Sequence, residues 1–380
     1  MEKVAVKKCS NYYDENLYNK VKQTIDLLGG IEKFINKGEK VVLKVNLLMG
    51  KDPKEGVTTH PEIVRAVARL VKNQGAIPII ADSPGGPFNN MNLKRAYRIS
   101  GFEKIAEEEN IELNYNTDSR KINFNEGKIK KSFEIADYIN KSDKVINLAK
   151  LKTHGLTMYT GGVKNLFGTI PGLLKAEYHL SLEDIEYFSE MLVDLAKLIK
   201  PQLTLIDGIL GMEGDGPSGG ETKNFNYLLT SISPFAVDVA AVHLMGIFPT
   251  QKVPTILAAK NRNEVAEISD LDFLGDKLVI ANDTRIPSIE KKSNLLDQKL
   301  PDPISNFLAY FLRSRPVFDS EKCVGCGDCV ESCPPQTIEL KNSKAVVDLS
   351  DCIRCFCCQE LCSYNAVKIK RPLLSKLFFS

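Results

Sequence analysis

The sequence predicts an α/β fold, in which a mostly parallel sheet has helices on both faces, followed by a small α+β domain rich in cysteine. Three observations lead to this prediction. Short apolar runs alternate with longer amphipathic ones from residue 40 onward, as in strands joined by helices. Nine of the ten cysteines fall in the last 60 residues. A proline-bounded segment at 301–317 separates the α/β domain, at about 1–300, from the cysteine-rich domain at 318–370.

The individual elements are predicted from their own patterns. Residues 40–46 form an apolar run of strand length, and Pro61 suits the first turn of a helix that keeps apolar residues at helical spacing to about Gly75. The other predicted elements are strands at 76–81, 111–115, 145–149, 203–207 and 226–231, helical segments at 93–110, 181–199 and 234–245, and a hairpin of 121–125 with 128–135.

Polar, glycine-rich loops follow four of the predicted strands. Ligands of open α/β sheets bind beyond the carboxyl ends of the strands, where helix N-termini point inward, so we expect these loops to share one cleft. The candidate cleft residues are Asn46, Asp82, Ser83, Lys152, His154, Gly161, Gly162, Lys164, Asn165, Asp207 and Glu213.

Each candidate has a structural alternative beside the functional one. His154 is the candidate acid or base, and Lys152 and Lys164 would bind an anion, although a loop histidine often only makes hydrogen bonds. The run GGVKNLFG at 161–168 is either a phosphate cradle or a set of ordinary turns. Asp207 and Glu213 are either carboxylate bases or metal ligands, or else turn formers.

The remaining histidines and cysteines are predicted to be structural. His60 starts a helix, His179 lies on the surface, and His243 belongs to the core of an apolar helix. Cys9 and Cys357 are expected to be inert thiols. Asp238, in the first turns of the helix at 234–245, would complement its dipole.

Composition and missing motifs exclude several function classes. The net charge of +2 gives no field for nucleic acid, and no run approaches the roughly 20 apolar residues of a membrane span. No signal-peptide core is evident at the N-terminus. No Walker A loop, dinucleotide fingerprint or C-x3-C-x2-C run is present. Thiolate-ligated clusters need a reducing compartment, which predicts the cytoplasm of an anaerobic or well-reduced cell.

The cysteines form two runs with the spacing of iron-sulfur ligands. The first reads C-x2-C-x2-C-x3-C-P, and the second repeats it 29 residues later without the proline, which is replaced by Ser363. In such pairs the fourth cysteine of one run ligates the cluster of the other, so two [4Fe-4S] clusters are predicted. The first cysteine group is Cys323, Cys326, Cys329 and Cys362, and the second cysteine group is Cys352, Cys355, Cys358 and Cys333.

This cysteine segment resembles the bacterial two-cluster ferredoxins throughout. The rest of the chain resembles the domain-of-unknown-function 362 family, through the runs KVNLL, TTHPE, ADSPGG, NLAKLKTHG, GGVKNLFG and IDGILGMEGDGPSGG between residues 44 and 220. The resemblance implies one α/β domain joined to a ferredoxin module. It also supports a site at Lys152, His154, Gly161, Gly162, Lys164 and Asn165, and it names no substrate.

The leading hypothesis is an oxidoreductase, a low-potential reductase in which electrons pass from the two clusters to an anionic substrate or cofactor in the cleft. The alternatives are a non-catalytic electron carrier or adaptor, and a reductive activator of another metalloenzyme. An external electron-transfer protein is expected as partner, because residues 317–370 carry eight acidic and six basic side chains. Whether a further small cofactor binds is left open. The segment 301–317 is expected to be a packed helix, and the apolar tail 371–380 to dock on the protein.

Overall fold

The computed structural model describes residues 1–287 and 314–371. The predicted linker helix and the tail therefore lie almost entirely outside the described residues. The helices are α1 (Leu17–Asp26), α2 (Pro61–Asn73), α3 (Asn90–Ile99), α4 (Phe102–Glu109), α5 (Asp137–Asn140), α6 (Gly162–Asn165), α7 (Leu174–Ser181), α8 (Ile185–Ile199), α9 (Pro234–Leu244), α10 (Pro254–Lys260), α11 (Asp328–Glu331) and α12 (Cys357–Glu360).

The strands belong to one large sheet and three hairpin-sized sheets. They are β1 (Glu2–Lys8), β2 (Lys40–Lys44), β3 (Ile77–Ala81), β4 (Glu112–Leu113), β5 (Ser119–Asn123), β6 (Ser132–Ala136), β7 (Lys144–His154), β8 (Met158–Thr160), β9 (Leu203–Glu213), β10 (Glu221–Ser231), β11 (Leu271–Gly275), β12 (Arg315–Phe318), β13 (Ile338–Lys341), β14 (Lys344–Val347) and β15 (Val367–Lys370).

The large sheet has the strand order β11-β1-β10-β9-β7-β2-β3-β4, with β8 added beside β7. The pairings β11/β1, β9/β7, β7/β2, β2/β3 and β3/β4 are parallel, whereas β1/β10, β10/β9 and β7/β8 are antiparallel. The prediction of a mostly parallel sheet is confirmed. The antiparallel edge arises because β10 returns directly from β9 and then pairs with β1, whose contribution the sequence pattern did not reveal.

Helices cover both faces of the sheet, as predicted. Neighbouring residues of a strand point to opposite faces, so Leu205 packs in the core beneath α1, α2, α3 and α4, whereas Ile206 packs beneath α9. Helix α8 closes a third core with α6 and the β5/β6 hairpin. The helix α2 begins as predicted, because the His60 side chain accepts a hydrogen bond from the Glu62 N–H and Pro61 fills the first turn.

Several predicted boundaries were wrong, and three of them concern the candidate site. The strand predicted to end at Asp207 continues to Glu213, so Glu213 lies on β9 and not in a loop. The strand predicted to end at Ala149 continues to His154, because β8 turns back and pairs with it. Lys152 and His154 therefore lie on a strand and not in a loop. The helix predicted at 181–199 begins four residues later, at Ile185, since Asp184 caps α8 by accepting from the Glu186 N–H, and the separate helix α7 ends at Ser181.

The cysteine-rich domain is an internal repeat in its backbone as well as its sequence. β12 pairs with β15, and β13 with β14, both antiparallel. Gly325 and Gly327 have left-handed backbone conformations, and so do Arg354 and Phe356, which are 29 residues further on. Each cysteine run thus bends at the same two places, with glycine in one copy and larger residues in the other.

Candidate functional site

A cavity lies where the carboxyl ends of β2, β3 and β7 meet the cysteine-rich domain. About 100 Å³ of it is accessible to the centre of a water-sized molecule, and part of the cavity is open to solvent. Its polar lining comprises Asn46, Asp82, Ser83, Lys152, His154, Thr160, Lys164, Asn165, Lys175, His179, Ser332, Cys357 and Glu360, and its apolar lining includes Leu47, Leu48, Phe167, Leu173, Ala176, Pro217 and Leu361.

Lys152 is held at the cavity by a network of side-chain amides. Its Nζ donates to Asn46 Oδ1 (2.8 Å) and to the Val57 carbonyl (2.7 Å). Asn46 in turn donates to Asn165, and Asn165 donates to Asn147. Burial and the nearby Lys150 lower the Lys152 pKa to about 7. Lys152 is therefore a fixed ammonium group that can lose its proton near neutral pH.

Lys164 is the cation most available to a ligand. Its Nζ lies over the Phe167 ring, 4.8 Å from the centroid, and 5.6 Å from the Phe188 centroid. Within the described residues it makes no hydrogen bond or ion pair, although the nearby Glu360 carboxylate partly opposes the lowering of the Lys164 pKa by burial. This side chain is carried by the helix α6 and lines the cavity.

His154 is buried and neutral. Its Nδ1 accepts from the Leu156 N–H (3.1 Å), so the ring proton resides on Nε2, which lies 3.2 Å from Glu360 Oε1. These two atoms are in contact but are not aligned as a hydrogen bond, and Glu360 Oε1 has no hydrogen-bond partner in the described chain. Burial, with Lys164, His179 and Lys152 nearby, holds the His154 pKa well below its usual range. His154 is thus a neutral N–H donor and not a cationic acid.

The helix α7 brings two further side chains that the sequence did not identify. Lys175 and His179 are one helical turn apart and both face the cavity. All three Lys175 protons have acceptors, namely Ser83 O, Ser83 Oγ and Ile170 O. His179 was predicted to lie on the surface, but it is buried and stacked on Phe188, with ring centroids 4.4 Å apart. Burial lowers its pKa to about 3.

Asp82 and Ser83 reach the cavity wall but are committed to structure. Asp82 Oδ1 pairs with Lys44 Nζ at 2.8 Å, and Asp82 Oδ2 accepts from the Leu47 N–H. Ser83 Oγ accepts from the Gly172 N–H as well as from Lys175. These contacts hold the loop after β3 against the segment before α7 and leave no free charge on Asp82.

The glycines at 161 and 162 do not form the predicted phosphate cradle. Asp238 on α9 accepts from the Gly162 N–H (2.5 Å), the Val163 N–H (2.9 Å) and the Tyr159 hydroxyl (2.8 Å). The donors that would bind an anion are thus already occupied. Asp238, predicted only to complement its own helix, fixes the start of the helix that carries Lys164.

Asp207 and Glu213 lie away from the cavity. Asp207 is fully buried and pairs with Lys150 (2.7 Å), while its other oxygen accepts from the Tyr12 hydroxyl (2.7 Å). Glu213 pairs with Arg285 (2.9 Å). Both carboxylates hold chain segments together, and neither lines the cavity.

The glycine-rich loop after β9 docks the cysteine-rich domain. Ser218 Oγ donates to the Glu360 carbonyl (2.8 Å), and the Gln359 side chain donates to the Asp215 carbonyl (2.9 Å). Asp215 also pairs with Arg371. On the other side of the cavity, a Cβ at Gly85 would overlap the Leu361 side chain. The cysteine-rich domain is therefore packed closely on the sheet edge.

The cysteines of each predicted group surround a separate hollow. One hollow is lined by Cys323, Cys326, Cys329 and Cys362, and the other by Cys333, Cys352, Cys355 and Cys358, together with Cys357. Backbone N–H groups donate to the sulfur atoms of Cys323, Cys333 and Cys362, as is common around iron-sulfur clusters. The residues thus fit the predicted ligand sets. In residues 1–287 and 314–371, no three His, Cys, Asp or Glu side chains lie close enough together to hold a single metal ion. This does not conflict with the two cysteine groups, because in a [4Fe-4S] cluster each cysteine binds a different iron atom.

Cys357 borders two spaces at once. It lines the hollow of the second cysteine group and also the cavity that contains Lys164. It was predicted to be inert, and its position between the two spaces could not be read from spacing alone. The same helix, α12, supplies Glu360 to the cavity. The second cysteine group is therefore separated from the cavity by a single short helix.

Comparisons with known proteins agree with this architecture. Residues 41–243 match the family model "Domain of unknown function (DUF362)", and residues 315–363 match a "4Fe-4S dicluster domain". The thylakoid-associated protein sll1697 of Synechocystis is 33% identical over 280 residues, covering 72% of this chain and 83% of that protein. Ferredoxin-2 of Desulfomicrobium norvegicum is 55% identical over 29 residues, 8% of this chain and 49% of that protein.

Among solved structures, the lactate racemase apoprotein of Thermoanaerobacterium thermosaccharolyticum aligns with a TM-score of 0.40 and 12% identity, over 62% of this chain and 55% of that one. In the described part of this chain, no helix has the length and apolarity to cross a bilayer. The cysteine segment is a 4Fe-4S domain of the ferredoxin type, a class that transfers electrons. The predicted family is confirmed: the chain belongs to the DUF362 family and carries a 4Fe-4S dicluster domain at its C-terminal end.

Proposed function

We propose that this chain is a reductase that delivers electrons to an anionic ligand held in the cavity. Two [4Fe-4S] clusters, bound by the first and second cysteine groups, would supply single electrons. The observation that supports this proposal is the shared wall: Cys357 and Glu360 of α12 face the same space as Lys152 and Lys164 of the α/β domain. An adaptor domain would not need a cavity enclosed between its lysines and its cluster-binding helix.

The cavity residues have complementary tasks in this proposal. Lys164 attracts the anionic group, and Leu361 and Phe167 exclude water around it. Lys152, whose pKa is about 7, delivers the proton that accompanies reduction. His154, which the sequence suggested as the proton donor, is too strongly shifted toward its neutral form, so its N–H, which contacts Glu360 without a hydrogen bond, would donate to the ligand instead.

Electrons would enter on the opposite side, at the first cysteine group. Cys326 is exposed there, and the neighbouring Val324 is 54% exposed. An external electron-transfer protein with a basic surface would dock at this face, because acidic side chains outnumber basic ones in the segment. Oxygen-sensitive clusters favour a reducing compartment such as the cytoplasm.

The proposal is tested with full-length protein purified without oxygen. Iron and sulfide analysis should give about eight iron atoms per chain, four for each cluster. Small molecules that copurify are identified by mass spectrometry and returned to the dithionite-reduced protein. We expect cluster reoxidation, followed by electron paramagnetic resonance, in the wild type and a loss of it in Lys164→Met. Equal reoxidation rates in both proteins would exclude the cavity as the site of electron delivery.

A further inference from the structure

The cavity has one cation without an acceptor, and its surroundings restrict what that cation can bind. Lys44 is occupied by Asp82 and Lys175 by Ser83 and Ile170, whereas Lys164 meets only aromatic ring faces in the described chain. Lys152 uses two of its three protons on Asn46 and Val57. A ligand therefore finds two ammonium groups, which act as point charges with freely chosen directions.

Five backbone N–H groups at or beside the cavity are already committed within the fold and are not free for a phosphate. The N–H of Gly162 donates to Asp238, that of Gly172 to Ser83 Oγ, and that of Gly85 to the Leu48 carbonyl. The N–H groups of Leu47 and Ser83 both donate to Asp82. Phosphate sites rely on such donors converging on the anion. These five N–H groups are used within the fold, so we expect recognition to depend on the side chains.

The charge of the wall sets an upper limit on the charge of the ligand. Four lysines face two carboxylates, those of Asp82 and Glu360, so at most two positive charges remain to be balanced. A ligand with one or two negative charges matches this excess, while a nucleoside triphosphate, with about four, leaves buried charge uncompensated. The charged residues that line the cavity are Lys152, Lys164, Lys175, Asp82 and Glu360, and the fourth lysine, Lys44, pairs with Asp82 behind the wall.

Much of the remaining wall is apolar. Leu47, Phe167, Leu173 and Leu361 enclose the space beside the lysines. A small inorganic anion would leave this surface without a partner, whereas an organic acid with a hydrocarbon or aromatic body would cover it. The polar and apolar parts of the wall thus call for one molecule that has both properties.

We infer that the cavity binds an organic carboxylate of one or two negative charges, with its carboxylate at Lys164 and Lys152 and its apolar body against Leu173 and Leu361. This inference rests on the proposed function only in that the bound acid would be the electron acceptor. The binding itself needs no electron transfer.

The test is calorimetric titration of the oxidised, cluster-loaded, full-length protein under anaerobic conditions. The probes are benzoate and hexanoate, their neutral analogues benzamide and hexanamide, inorganic phosphate and ADP. We expect each carboxylate to bind at least about 10-fold more tightly than its amide, since a hydrogen bond to a charged group is lost in the amide. Neither phosphate nor ADP should compete with benzoate.

Two lysine variants locate the binding. Lys164→Met keeps the apolar stem and should weaken benzoate by about 10- to 100-fold without affecting benzamide. Lys164→Arg should retain most of the affinity, which guards against a folding defect in the first variant. Lys104→Met serves as the matched control, because the Lys104 side chain is 77% exposed and does not line the cavity.

The possible outcomes separate the two proposals. Phosphate or ADP binding more tightly than both carboxylates, equal binding of acid and amide, or no carboxylate binding at all would each overturn the carboxylate assignment. Carboxylate binding that is lost in Lys164→Met supports it, whether or not the clusters react. If an organic acid that copurifies with the protein binds in this way but fails to reoxidise the reduced clusters, the reductase proposal fails and the binding site stands.

Discussion

Replacing Asp238 by alanine should destabilise the α/β domain by about 3 kcal/mol and displace the Lys164 helix. The carboxylate accepts from three buried donors, the N–H groups of Gly162 and Val163 and the Tyr159 hydroxyl. Each donor left without a partner costs about 1–3 kcal/mol. The total lies at the low end of the summed range, because burial already opposes the ionised carboxylate and raises the Asp238 pKa to about 6. Removing the carboxylate relieves this burial cost.

The assay is urea unfolding of the cluster-loaded protein, followed by circular dichroism, with the midpoint shift converted through the slope of the wild type. Asp238→Asn keeps one carbonyl oxygen and should lose about half as much. Glu126→Ala, at an exposed hairpin turn, should change stability by less than about 0.5 kcal/mol. If Asp238→Ala were no less stable than Glu126→Ala, the carboxylate would not be the cap of α6, and our account of how Lys164 is positioned would be wrong.

Three other perturbations have defined outcomes. Benzoate affinity should fall as pH rises through about 7, because Lys152 loses its proton there. The charged groups around Lys152 are those of Lys150, Lys164, Asp82 and Glu360. A benzoate affinity that calorimetry finds constant from pH 6 to about 8 would contradict this. Cys333→Ser should remove about four irons per chain, whereas Cys357→Ala should remove none; iron analysis decides. Gly85→Val should loosen α12, which would be measured as faster hydrogen exchange at residues 357–361. Adding Leu361→Ala to this variant should restore protection. Unchanged exchange in Gly85→Val would show that the contact between Gly85 and Leu361 is not tight.

The sequence predicted those features whose cause is local. The alternation of apolar runs determines which segments become strands and helices, and the cysteine spacing determines which thiols can surround one hollow. Pro61 and His60 start α2 because capping needs only neighbouring residues. The predicted grouping of the cysteines matches their placement around the two hollows for the same reason.

Features that depend on distant pairing were not predictable. β1 pairs with β10 and β11, which are more than 200 residues away along the chain, and no local pattern specifies such a partner. His179 appeared exposed because α7 has little apolar periodicity, yet tertiary packing on Phe188 buries it. Glu360 lies in the sequence between the cysteine ligands Cys358 and Cys362, and no pattern marked it as a site residue. Its role at the cavity follows only from how the cysteine-rich domain docks, through contacts such as that of Ser218 with its carbonyl.

The position of α12 links ligand binding to the insertion of the iron-sulfur clusters. This helix contains Cys358 and is followed by Cys362, which belong to different cysteine groups, and it also forms one wall of the cavity. A chain that has not yet received its iron would hold this wall only through contacts such as those of Ser218 and Gln359, without the added constraint of iron–sulfur bonds. We expect such a chain to be unable to retain a ligand. On the proposed function, the electron acceptor would then bind only after the clusters have been inserted.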